Sequence, residues 1–219
     1  MQRATSSFSH KCGLWLVLVL TSLKLTPLNL VGRYTRINMV MTILDTLFTG
    51  QMTGIDTGCY NFDCPGFVPI NQHFAVGAAA QSVSTLDGRQ EQFPATIWMD
   101  PHSGHWWLKF STNLAIGYWP STLFTHLQNG ATEVQWGEEI ANKKDQPQHT
   151  TTKMGRGNFA QEGWRKASYF RNLEIIDEGE ITRPPFGTVY TYMSHESCYN
   201  IKPGIHNVWG LCFYYCGPG

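Results

Sequence analysis

From Thr57 onward, apolar and polar residues alternate in short runs cut by turn residues and do not repeat at helical spacing. Successive side chains of a strand point to opposite faces, so runs of this kind predict half-buried β-strands. Ala75 to Val83, Ala95 to Trp98, Trp106 to Phe110 and Leu114 to Trp119 are strands on this reading, with turn signals at Asp87-Gly88, Asp100-Pro101 and Ser111-Thr112-Asn113. Pro120 ends that ladder, and Ser121 to Gln128 predicts one short helix capped by Ser121. Glu133 to Ile140, Ser168 to Ile176 and Val208 to Tyr215 resume the strand pattern, while Asn142 to Gln148 is a polar loop. Many short strands without a long amphipathic helix predict an all-β fold, an antiparallel β-sandwich.

The first 56 residues read differently. Arg3, His10 and Lys11 precede the apolar run Cys12 to Leu20, which is too short for a stable membrane span and about right for the core of a signal peptide, although no small-x-small cleavage site follows it. Taken as structure, Leu14 to Leu25 predicts a short apolar helix. The expected organisation is a poorly ordered segment over residues 1–56 and one domain over residues 57–219.

Composition adds the compartment. Sixteen basic and sixteen acidic residues give a net charge of +0, which favours neither nucleic acid nor an acidic membrane surface as a partner. Charged residues are 15% and aromatics 13%, with 21 glycines and eight tryptophans, a balance that fits a turn-rich exported β-domain. Cys59 and Cys64 enclose Tyr60-Asn61-Phe62-Asp63, a loop that a disulfide can staple in an oxidising compartment. No second closely spaced cysteine pair with histidines accompanies it, so a metal site is not expected there. Cys198 can pair with Cys212 or with Cys216, and spacing does not choose between them.

The chemistry centres on Trp136-Gly137-Glu138-Glu139-Ile140. In a strand only one of Glu138 and Glu139 can point into a given cleft, so the pair offers one sheltered carboxylate and one facing solvent. Desolvation raises the pKa of a sheltered carboxylate and suits it to acid or base work; the competing reading is a charged strand end. His102-Ser103-Gly104-His105 offers two imidazoles, but Pro101 and Gly104 make it a turn without the i,i+4 geometry of a helical zinc site. No Gly-x-Ser-x-Gly elbow, phosphate-binding glycine loop or dinucleotide fingerprint occurs. His149 beside Thr150, Thr151 and Thr152 is either a catalytic orienter or a hydrogen-bonded structural residue.

Several longer motifs occur in order: Thr57-Gly58-Cys59-Tyr60-Asn61, Cys64-Pro65-Gly66-Phe67-Val68, Gly117-Tyr118-Trp119-Pro120, Trp136-Gly137-Glu138-Glu139, His149-Thr150-Thr151-Thr152-Lys153-Met154-Gly155, Ala167-Ser168-Tyr169-Phe170-Arg171-Asn172 and Phe213-Tyr214-Tyr215-Cys216-Gly217-Pro218-Gly219. With them the chain from Thr57 to its last residue resembles the plant neprosin family. The resemblance implies a secreted glutamic endopeptidase that cuts proline-containing peptides or proteins after proline at acid pH, on an antiparallel β-sandwich, with no metal or organic cofactor. It implies two catalytic glutamates, one in an Ile-Glu-Ala-Gly-Trp motif upstream and one in Trp-Gly-Gly-Glu. The second corresponds to Glu139, with Glu138 standing where the family has glycine. Tyr118, Trp119, Trp136 and His149 become candidates for the substrate cleft, the tryptophans equally readable as core. Family members often have glycine at the position of Cys216, which argues against a disulfide there.

The segment before Thr57 departs from the family: it holds no Ile-Glu-Ala-Gly-Trp. Read in a shifted frame, Met39-Val40 must become Gly, and Met41-Thr42 and Met52-Thr53 must each become Asp, as the family's Tyr-Gly-Asp and Trp-Thr-Asp motifs require. Permitted codons for Leu25 to Gly32 can then give Asn-Thr-Ile-Glu-Ser-Gly-Trp, with the glutamate across Leu28 and Asn29. Phe8 to Asp56 is therefore read as a family segment translated out of frame, which also makes the signal-like run an accident of shifted codons. A sandwich lacking those strands is expected to be incomplete at its N-terminal side, and its peptidase activity impaired. The alternative function is a non-catalytic secreted β-sandwich that binds proline-rich or cell-wall ligands.

Overall fold

The computed structural model describes residues 11–25, 28–30, 66–73, 82–111, 114–124, 127–141, 150–187, 189–193 and 195–219. Its strands are β1 (Lys11–Leu25), β2 (Leu28–Leu30), β3 (Val68–Pro69), β4 (Phe93–Met99), β5 (Trp106–Phe110), β6 (Leu114–Trp119), β7 (Ala131–Ala141), β8 (Ser168–Phe170), β9 (Ile175–Ile176), β10 (Thr182–Arg183), β11 (Val189–Met193), β12 (Asn200–His206) and β13 (Gly210–Cys216). Every pairing among them is antiparallel.

Three sheets result. One runs β10-β9-β1-β11 with β7 paired to the other side of β1, a second runs β12-β13-β8, and a third runs β2-β4-β5-β6-β3. Alternation along the strands decides what each sheet buries. In β5, Trp106, Leu108 and Phe110 are buried while Trp107 and Lys109 between them are half-exposed. Buried Val134, Trp136 and Ile140 of β7, Phe170 of β8, and Phe213 and Tyr215 of β13 join the same core. Trp106 and Tyr199 reach it without orphaning a donor: the indole Nε1 donates to the Leu127 carbonyl at 3.1 Å and the Tyr199 hydroxyl to the Thr152 carbonyl at 2.8 Å.

β4, β5, β6 and β7 lie where alternation predicts them, whereas Ser168 to Ile176 is broken into β8 and β9 around Asn172, at φ 50°. Three readings change. Leu14 to Leu25 is strand, not helix: β1 is the shared neighbour of β7, β11 and β9, and cross-strand pairing decides the state of a short apolar run that periodicity alone leaves ambiguous. The helix expected from Ser121 shrinks to a 3-10 turn at Ser121–Leu123 that follows Pro120 without a side-chain cap. Cys198 does not pair with Cys212 or Cys216, since all three are free thiols. The Cys216 sulfur instead accepts the backbone N–H of Arg156 at 3.0 Å, and the Cys212 thiol donates to the Gly204 carbonyl at 3.4 Å. The strand expected at Ala75 to Val83, the Cys59–Cys64 disulfide and His149 fall outside the described residues, apart from Ser82 and Val83.

Candidate active site

β7 holds the two adjacent carboxylates. Its register against β1 sets Glu138 opposite Leu14, Gly137 opposite Trp15 and Trp136 opposite Leu16, and β1 in turn sets Leu14 opposite Met193 and Leu16 opposite Thr191 of β11. Directly paired residues of antiparallel strands share a face. Trp136 is 1% exposed and Met193 packs against the core, so the face carrying Glu138 looks inward between the sheets.

Glu138 is held there by two neighbours. Its Oε2 accepts the backbone N–H of Gly155 at 3.1 Å, and its carboxylate accepts the hydroxyl of Tyr215, itself 1% exposed. Gly155 sits at φ 56°, and a Cβ there would lie 2.6 Å from the Ser168 Oγ, so this donor position suits only glycine. The turn that carries it is pinned to the end of β13 by paired Met154 and Gly217 backbone bonds at 3.0 and 3.3 Å. Desolvation outweighs both hydrogen bonds and pushes the Glu138 carboxyl up to about 7, so it is neutral in acid. Burial, then the negative charge of Glu138, raises the Tyr215 phenol well above its ordinary range, which keeps it a donor. The sheltered carboxylate expected in this motif is thus Glu138. Glu139 occupies the next position on β7, at the register position of Gly13, and its side chain is outside the described residues.

The remaining candidates separate. Trp119 and Trp136, each 1% exposed, are core aromatics and do not wall an open cleft. Tyr118 lies on the third sheet, stacked parallel to His105 with ring centroids 5.0 Å apart and packed on Trp107 at 4.8 Å. His105 in turn accepts the backbone N–H of Ser121 at its Nδ1, 3.1 Å away. Fold and motif order together can be set against known protein families. Residues 40–218 match the family described as Neprosin. The chain belongs to the Neprosin family. The match starts upstream of Thr57, and it spans β3 to β13 with the carboxylate pair on β7. Membership in the Neprosin family points to a protease-like function. Among the described residues no helix is long and apolar enough to cross a membrane.

Sequence reasoning missed the strand beside β1 on its other edge. β11 carries Tyr190 and Tyr192, 52% and 49% exposed, in a Val-Tyr-Thr-Tyr-Met run whose aromatic and β-branched alternation was a strand signal in its own right.

Proposed function

We propose that this chain is a secreted glutamic endopeptidase by descent, acting on proline-containing peptides at acid pH and cutting after proline, with Glu139 as one of its two catalytic carboxylates. The observation that carries the proposal is the Neprosin match across the Trp136-Gly137-Glu138-Glu139 strand. The chemistry needs two carboxylates in different protonation states. One, ionised, takes a proton from the attacking water; the other, protonated, polarises the scissile carbonyl and passes its proton to the leaving nitrogen. Glu138 does not complete such a pair with Glu139, because adjacent strand residues face opposite sides and Glu138 looks into the core. The partner belongs upstream, where this chain has Leu28 and Asn29 on β2, paired to Ala95 and Pro94 of β4. Turnover by the chain as written is therefore impaired.

Incubating the chain with a proline-containing peptide at acid pH tests the reading. Residual cleavage after proline that disappears in Glu139→Gln supports it. Peptide binding with no turnover, even once the upstream segment is restored to the shifted frame, favours a non-catalytic binding protein instead.

A further inference from the structure

The face of the β7-β1-β11 sheet opposite the core has a composition of its own. Trp136, Glu138, Thr191 and Met193 share the inward set of register positions, so the alternate set looks outward. That set contains Tyr192 opposite Trp15 and Trp15 opposite Gly137, then Tyr190 opposite Val17 and Val17 opposite Gln135. Glu139 follows Gly137 by two residues on β7 and so belongs to the same outward set. Val189 and Met193 of the inward set pack against the core and both tyrosines are exposed, but Thr191 between them is exposed as well, so it is the register, not exposure alone, that places the tyrosines outward.

We infer that Tyr190 and Tyr192 form the specificity-determining wall of the peptide-binding face that Glu139 serves, and that their ligand is an extended, proline-containing peptide lying across β1. The inference rests on the proposed role of Glu139. Strand spacing sets Tyr192 about 10 Å across the sheet and about 7 Å along it from Glu139, so it meets residues a few positions from the bond being cut and not the bond itself. The two tyrosines stand about 7 Å apart along β11. A polyproline II segment advances about 3 Å per residue with three residues per turn, so rings about 7 Å apart reach side chains two to three positions apart on two neighbouring edges of such a peptide. Flat aromatic rings are the surface on which proline-rich segments pack, and a peptide already extended loses little further freedom on docking.

The test is binding, which does not require turnover. Affinity of the full chain for a fluorescent proline-containing peptide is measured at acid pH for the wild type, Tyr190→Ala, Tyr192→Ala, Tyr192→Phe and Trp164→Ala; Trp164 is an exposed tryptophan that packs on Tyr169 and Trp209, by the β8-β13 sheet. The expected result is a loss of roughly five- to thirtyfold for each alanine variant at the two tyrosines, with Tyr192→Phe and Trp164→Ala close to wild type. On the unmodified chain, the peptide should shield Tyr190 and Tyr192 from tetranitromethane nitration, read by mass spectrometry, and this second readout does not depend on any variant folding. Unchanged affinity in both alanine variants, equal loss in Trp164→Ala, nitration of both tyrosines unaffected by peptide, or no binding by the wild type would overturn the inference. Binding lost with the tyrosines in a chain that does not cleave even after its upstream segment is restored to the shifted frame supports the wall and counts against the catalytic reading, so the two fail separately.

Discussion

Glu138 is the residue at which this chain departs most tellingly from a simple reading of its motif. The sequence calls for one sheltered carboxylate in the pair, and strand alternation does shelter one, but the choice between Glu138 and Glu139 depends on which way Trp136 points. With Trp136 in the core, Glu138 follows it inward, onto Gly155 and Tyr215. Those partners lie far away in sequence, which is why no local pattern could name them. The consequence is a pH dependence with a definite sign. A carboxyl raised to about 7 from an ordinary 4.5 binds its proton more tightly in the folded chain. That stabilisation is complete below about pH 4.5 and is lost as pH rises toward 7, a fall of up to about 3 kcal/mol. Tyr215 and the Cys216 thiol are the other titratable groups close by, and Tyr215 stays protonated throughout this range. Urea denaturation of the wild type should give midpoints that decline from pH 4.5 to 7, and Glu138→Gln should flatten that decline. A wild-type midpoint that rises across this interval would contradict the desolvated carboxyl.

At the scale of elements, what was legible followed the two-residue period. β5 and β6 have the predicted limits because Trp-Trp-Leu-Lys-Phe and Leu-Ala-Ile-Gly-Tyr-Trp place their large apolar groups for one packed face. The edge strand β12 escaped because Pro203 and Gly204 interrupt its period, although all seven of its residues pair with β13. β1 was misread for the opposite reason: its leucines suit helix and strand equally, and only its neighbours decide. β7 depends on Trp136 for its attachment to the core, so Trp136→Ala should lower stability by about 3–5 kcal/mol in a denaturant titration. A loss under about 1 kcal/mol would mean that the indole is not part of the packed interior. The close approach of β3 to β6 makes a second, local demand. A Cβ at Gly117 would lie 2.3 Å from the Val68 carbonyl and 2.5 Å from the Phe67 ring. Gly117→Ala should therefore separate β3 from β6, read as faster hydrogen exchange of the Ile70 amide, which donates to the Ile116 carbonyl, and of the β6 amides, with the other sheets unaffected.

For the whole molecule, family membership was legible from ordered motifs, and among the described residues these fix the turn at Gly155, the pairing of Gly117 and Tyr118 with β3, and the Glu138 carboxylate. The catalytic pair that we propose was legible only by half. Glu139 stands in a motif that survives, whereas the position proposed for its partner is occupied by Leu28 and Asn29, whose codons in a shifted frame can encode a glutamate. Sequencing the transcript over this region should reveal a frame change at each end of the divergent segment; an uninterrupted frame encoding Leu25 to Asp56 as written would refute that origin. The most direct measurement is peptide cleavage by a chain whose upstream segment has been restored to the shifted frame, assayed at acid pH beside its Glu139→Gln variant. The account predicts cleavage after proline in the restored chain and none in the variant. A restored chain that folds and does not cleave, or one that cleaves equally well with Glu139→Gln, would contradict it.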